Sequence, residues 1–149
     1  MTVTFCGHND VYGDEKIRSW LEAVIRQLIS EGVTHFYCGG HGGFDRMVSS
    51  VLEQEKKRSP QIQRILVLAY LEKNHYEDDY DYTMYPELEK VPKRFAILKR
   101  NEIMVQDNDV LVAYVTHSWG GAAKTLEYAQ KKKKRIILYP ETQCSEQED

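Results

Sequence analysis

The stretch THFYCGGHGGFDRMVSSVL, residues 34–52, decides the fold. Thr34 to Tyr37 is a β-branched and aromatic run that reads as a strand. It runs into Gly39-Gly40-His41-Gly42-Gly43 and then into Phe44, Met47, Val48, Val51 and Leu52, whose spacing puts them on one face of a helix. That helix ends in Lys56-Lys57-Arg58-Ser59-Pro60. A strand, a glycine turn and a helix make the first half of a βαβ unit, so the same alternation is expected on either side.

It is found on both sides. Upstream, Thr2 to Cys6 reads as a strand stopped by Gly7. A helix follows with Ile17, Trp20, Leu21, Val24, Ile25, Leu28 and Ile29 on one face and Gly32 as its terminator. Downstream, Ile65 to Ala69 is a nearly continuous apolar run, as in a parallel strand covered on both faces. After a long polar segment, Tyr70 to Pro92, a helix fits Lys93 to about Gln106, a strand Val110 to Val115, a helix Ala122 to Lys132 and a strand Arg135 to Tyr139. The reading is an α/β fold: a single doubly wound, Rossmann-like domain over residues 1–140, with a five-stranded parallel sheet and helices on both faces. Glu141 to Asp149 reads as an acidic, mobile tail.

Composition narrows the class. A chain of 149 residues buries roughly two-thirds of its unfolded surface and needs neither metal nor disulfide to fold. Its 23 acids against 20 bases give a net charge of −3, which makes broad attraction to nucleic acid unlikely. Cys6, Cys38 and Cys144 are odd in number and lack CxxC spacing, which suits a reducing cytoplasm, with Cys6 and Cys38 as small buried fillers. The sequence contains no apolar run of membrane-spanning length, and its first residues lack a signal-peptide pattern. Lys131 to Lys134 reads as a solvated helix C-terminus.

Doubly wound sheets bind ligands beyond the carboxyl ends of their strands. The residues there are Gly7-His8-Asn9-Asp10 after the first strand, Gly39 to Asp45 after the second, and Thr116-His117-Ser118-Trp119-Gly120-Gly121 after the fourth. Both glycine clusters open helices, and a helix N-terminus stripped of side chains lets an anion approach its free N–H groups. Two such turns on one sheet edge point to a phosphate. The P-loop pattern fails, because Ala123 and Ser118 stand where glycines are needed before Lys124-Thr125, and GxGxxG is absent. No cofactor motif is present. His8, His41 and His117 could converge with Asp45 on a metal, but donation to phosphate or ribose is the reading adopted, with no metal site.

CGGHGGFDRM paired with WGGAAKTLEYA resembles the SLOG superfamily, which includes the Lonely Guy phosphoribohydrolases and the Rossmann-like domain of DNA-processing protein A. Nearly the whole chain is covered. Against the Lonely Guy pattern PGGxGTxxE, Gly120, Gly121 and Glu127 match, while Trp119, Ala123 and Lys124 stand for proline, glycine and threonine. Arg100 keeps the family's spacing of nine residues before Asp109, and Gly39, Gly43 and Asp45 resemble the GxxxGxD of the YpsA-like and DNA-processing branches.

The resemblance implies a nucleotide or nucleotide-derived ligand, such as a nucleoside monophosphate or an ADP-ribose-like molecule, and a homodimer. It also implies an N-glycosidase activity in which Glu127 stabilises an oxocarbenium-like ribose and Arg100 holds the phosphate or polarises the base. The phosphate would lie on Gly39 to Gly43, Gly120 and Gly121, with His117, Ser118, Lys124 and Thr125 beside it. The bland alternatives are a helix-dipole acid for Glu127 and Asp45 and a solvated helix residue for Arg100. A non-catalytic nucleotide sensor is the main rival function, and single-stranded DNA binding a lesser one. Trp119 is the better-placed stacking residue. Tyr76, Tyr80, Tyr82 and Tyr85, four of the ten tyrosines, fall in the long segment, which reads as a lid or a subunit seam.

Overall fold

The computed structural model describes residues 1–11, 14–71 and 79–140. Tyr76 and the acidic tail therefore lie outside the described residues. The elements are β1 (Thr2–Gly7), α1 (Glu15–Ser30), β2 (His35–Cys38), α2 (Gly42–Arg58), β3 (Gln63–Val67), β4 (Tyr82–Met84), α3 (Ala96–Asp107), β5 (Val110–Tyr114), α4 (Gly121–Lys131) and β6 (Arg135–Leu138). A 3₁₀ turn, Lys93–Phe95, precedes α3, so the regular helix begins three residues later than its periodicity suggests.

All strands are parallel, in the order β4-β3-β2-β1-β5-β6. The chain winds outward from β1 through β2 and β3, then returns across it to β5 and β6. Strand order reverses between β1 and β5, which opens a crevice at their carboxyl ends. Alternation along these two strands builds both faces. Val3, Phe5, Val110, Val112 and Tyr114 join the core under α1 and α2, while Cys6, Leu111 and Ala113 pack with Val105 and Ala129 on the α3 and α4 side.

The sheet has six strands rather than the expected five. The additional strand, β4, lies within the segment read as irregular, with Ile65 opposite Tyr82 and Val67 opposite Met84. It has three residues, all exposed, so no burial pattern marks it in the sequence. It is held instead by Asp81. That carboxylate accepts from the Arg64 backbone N–H (2.8 Å), Nε (3.1 Å) and Nη2 (3.2 Å), and lies 3.4 Å from Lys56 Nζ. Tyr80, just before it, packs into the core of the domain.

Burial of the Asp81 carboxyl works against its ionisation, but the bonds from Arg64 and the charges of Arg64 and Lys56 outweigh this and hold it below the usual range. Its contribution is therefore present above the unfolded value near pH 4 and is lost as pH falls through the lower folded value. Asp81→Ala is expected to lower stability by about 2 kcal/mol at neutral pH and by less in acid. Urea unfolding at both pH values checks this; equal losses would refute the linkage.

Candidate functional site

A cleft of about 630 Å³ lies at the crevice between β1 and β5. One wall comes from the start of α2, and here the glycines serve packing. A Cβ on Gly42 would run into the Asn9 side chain, one on Gly43 into the Asn9 carbonyl, and one on Gly7 into the Phe44 ring. This close approach lets the loop after β1 occupy the α2 N-terminus. The Gly43 N–H donates to Asn9 O (3.1 Å) and the Phe44 N–H to His8 O (3.3 Å). The His41 N–H donates to Asp45 Oδ2 (2.9 Å). Of the donors expected to cradle a phosphate at Gly39 to Gly43, the His41 and Gly43 N–H groups are thus engaged by the chain itself.

The α4 start is different. Gly120, with φ +94°, turns the chain into the helix, no side chain caps it, and its first turn carries no acid. A Cβ on Gly121 would meet nothing within 4 Å. This N-terminus, with its partial positive charge, faces the cleft through Gly120, Gly121 and Ala122. A contrast follows: Gly43→Ala is expected to lower stability by about 1–3 kcal/mol through overpacking, whereas Gly121→Ala leaves the fold intact and places a methyl group where an anion would approach. Thermal unfolding of the two variants, with nucleotide titration of the second, separates the packed glycine from the open one.

Three aromatic rings form a continuous stack along the cleft. His8 and His117 are 3.7 Å apart between centroids and 11° from parallel; His117 and Trp119 are 3.8 Å apart and 19° from parallel. The Thr116 N–H donates to His8 Nε2 (2.8 Å), which places the His8 proton on Nδ1. Burial, then the neighbouring His117, push the His8 imidazole down, with Asp10 opposing them, so the ring is neutral at pH 7. Trp119 is 68% exposed, and its outer face is open. The His117 Nδ1 atom is buried with no hydrogen-bond partner among the described residues.

Arg100 reaches the cleft floor from α3 but is only 1% exposed, which removes the reading as a solvated helix residue. Its Nη1 donates to Gly39 O (2.9 Å) and Val67 O (2.8 Å), and its Nε to Asn101 Oδ1 (2.9 Å). It therefore ties the ends of β2 and β3 together. Burial pushes the nearby Asp45 carboxyl up to about 6, against the His41 N–H and the Arg100 charge. Burial and then the Asp45 charge push the Cys6 and Cys38 thiols well up, so both are protonated at neutral pH.

Of the site residues read from the sequence, Gly7, His8, His41, Gly42, Gly43, Asp45, Arg100, His117, Trp119, Gly120 and Gly121 line this cleft. Gly39 sits against Arg100 and Asp45, and Gly40 lines a neighbouring hollow beside Tyr80. Thr125 is buried and donates to Gly121 O (2.9 Å), and Lys124 is an exposed residue of α4. Ser118 and Glu127 line a separate hollow on the other side of the β5–α4 connection. The Glu127 side chain is 69% exposed and 3.5 Å from Lys131 Nζ. The cleft also includes Arg46, Ile97 and Asn101, which the sequence reading did not select, and Asn9 and Asp10, which it placed at this edge without a binding role. Their signal was adjacency: Asn9 and Asp10 follow His8, Arg46 follows Asp45, and Ile97 and Asn101 flank Arg100 by one turn or one residue. Among the described residues no group of three or more His, Cys, Asp or Glu is placed to hold a metal, and no helix is long and apolar enough to cross a membrane.

This fold is shared with solved structures. DNA processing protein A from Helicobacter pylori, described for its single-stranded DNA binding mode, superposes over 93% of this chain with a TM-score of 0.66 and 15% identity. DNA processing protein A from Streptococcus pneumoniae does so over 92% with a TM-score of 0.69 and 17% identity. The fold is Rossmann-like. A molybdenum cofactor carrier protein from Chlamydomonas reinhardtii is similar to this chain over 92% of its length, with 18% identity and a TM-score of 0.62. The chain spans 64% and 49% of the two DNA processing proteins and 75% of the carrier protein. No protein-family model and no curated protein sequence matches the chain.

Proposed function

We propose that the cleft binds a small ligand joining a planar heterocycle to phosphate, in the first instance a nucleotide or nucleotide-derived molecule. The observation that carries this reading is the meeting in one cleft of the open Trp119 ring with the uncapped α4 N-terminus. The ring offers a stacking face for a heterocycle, and the helix end and the exposed Arg46 offer positive charge to its phosphate. Binding without turnover is favoured over N-glycosidase action, because Glu127 lines a different hollow and pairs with Lys131. The ligand is expected to be recovered unchanged. Native mass spectrometry of freshly purified protein reads the ligand class, and chromatography after long incubation reads turnover. Base release that Glu127→Gln abolishes would restore the enzyme reading.

Single-stranded DNA is the second reading, favoured by the likeness to the DNA processing proteins. The same ring and Arg46 suit a stacked base and its backbone phosphate, while the net charge of −3 opposes a long polyanion. A salt-sensitive shift of a labelled oligonucleotide, lost in Trp119→Ala, would favour it over a mononucleotide. A cytoplasmic homodimer completes the proposal, and analytical ultracentrifugation of the full chain checks its oligomeric state.

A further inference from the structure

We propose that His8 is the positioning residue of this cleft: while its ring is uncharged it holds the β5–α4 connection in the form that presents Trp119, and protonation releases that hold. The proposal deepens the ligand reading, but the platform itself is observable without ligand. The argument starts from a donor and an acceptor. The Thr116 N–H points at His8 Nε2 across 2.8 Å, joining residues 108 apart in sequence. Thr116 begins the connection that carries His117 and Trp119, so this bond clamps its first residue to the end of β1. The two stacked contacts, 3.7 and 3.8 Å, then pass the orientation of His8 through His117 to Trp119. The His8 ring is itself held by its backbone, which donates to Tyr114 O (3.2 Å) and accepts from the Phe44 N–H of α2 (3.3 Å).

A proton added to Nε2 turns the acceptor into a second donor facing the Thr116 N–H, so the clamp is lost and two half-buried donors oppose each other. The groups around His8 bear on when this happens. His117 faces it from the β5–α4 connection, Tyr114 meets it edge-on from β5, and Asp10 lies on its own loop. Asp45 and Arg46 of α2 and Arg100 of α3 stand on the walls of the same cleft. Because burial and His117 lower the affinity of His8 for a proton, the clamp is complete above the free imidazole value and fails as pH falls through the lower value of the folded protein. Trp119, already 68% exposed, is tethered by this stack and by the turn at Gly120, so it loosens with it.

The test uses the full chain with Trp20 replaced by phenylalanine, which leaves Trp119 as the sole tryptophan. Acrylamide quenching of Trp119 is expected to rise about twofold from pH 7.5 to pH 5. His8→Gln, whose side-chain oxygen accepts from Thr116 but does not titrate, is expected to keep the pH 7.5 shielding and lose the pH response. His8→Phe, which keeps a ring but no acceptor, is expected to expose Trp119 at both pH values. An undiminished pH response in His8→Gln would overturn the proposal. Nitrogen-15 NMR of the unsubstituted chain provides an arm that does not depend on variants folding: a His8 proton on Nδ1 at pH 7.5 supports the clamp, and one on Nε2 overturns it. With no ligand added, a failure here is distinct from a failure of the nucleotide reading.

Discussion

Arg100→Ala is expected to destabilise the protein by about 4 kcal/mol, a fall in melting temperature of roughly 10 °C for a chain of this size. The substitution removes the bonds that join Gly39 O and Val67 O at the ends of β2 and β3. It also leaves Gly39 O with only the longer His41 Nδ1 contact (3.3 Å) and takes away the charge that offsets Asp45. The loss depends on pH with a definite sign. Asp45 titrates in the folded protein at about 6, above its unfolded value, so its ionisation lowers stability as pH rises through that interval. Without Arg100 the folded value moves higher still. The loss in Arg100→Ala is therefore larger at pH 8 than at pH 5.5, and a second substitution, Asp45→Asn, shrinks the difference. Urea unfolding at both pH values checks this. A loss under about 1 kcal/mol would mean that the guanidinium is solvated and the strand ends are held by other groups.

Trp119→Ala is expected to weaken binding of adenosine 5′-monophosphate about 10- to 100-fold while leaving unfolding free energy nearly unchanged. The exposed ring contributes little to the core, whereas stacking of a base on an aromatic side chain is worth about 1–3 kcal/mol. Trp119→Phe should retain most of the affinity. Arg46→Gln should weaken the phosphate-bearing nucleotide and spare adenosine, because Arg46 supplies positive charge to the cleft. Calorimetric titration of the two probes against the three variants separates base stacking from phosphate binding. Unchanged affinity in Trp119→Ala would end the platform reading.

The order of elements was legible because its signals are local. The α1 face buries Ile17, Leu21, Ile25 and Leu28, as a period of three to four residues requires, and Asp14 caps it by accepting from the Lys16 N–H. The two glycine clusters marked the right sheet edge for the same reason. β4 was not legible, because three exposed residues carry no periodicity and their anchor is the Asp81–Arg64 contact across 17 residues. The cleft was legible in part: the strand-end residues His8, His41, His117 and Trp119 line it, while Asn101 and Arg46, on helices and without a motif, were passed over.

The sequence by itself determined a doubly wound parallel sheet and the edge at which a ligand would bind, since strand and helix periodicity and turn glycines act over a few residues. Only the tertiary structure decided what each edge residue does there. It closed the first glycine cluster with the Asn9 backbone and left the second open. It buried Arg100 against a carbonyl 61 residues away, turned Glu127 into another hollow, and stacked His8 on His117. Each of these outcomes depends on contacts between segments far apart in the chain, and no local pattern encodes which partner a side chain will meet once the strands are side by side.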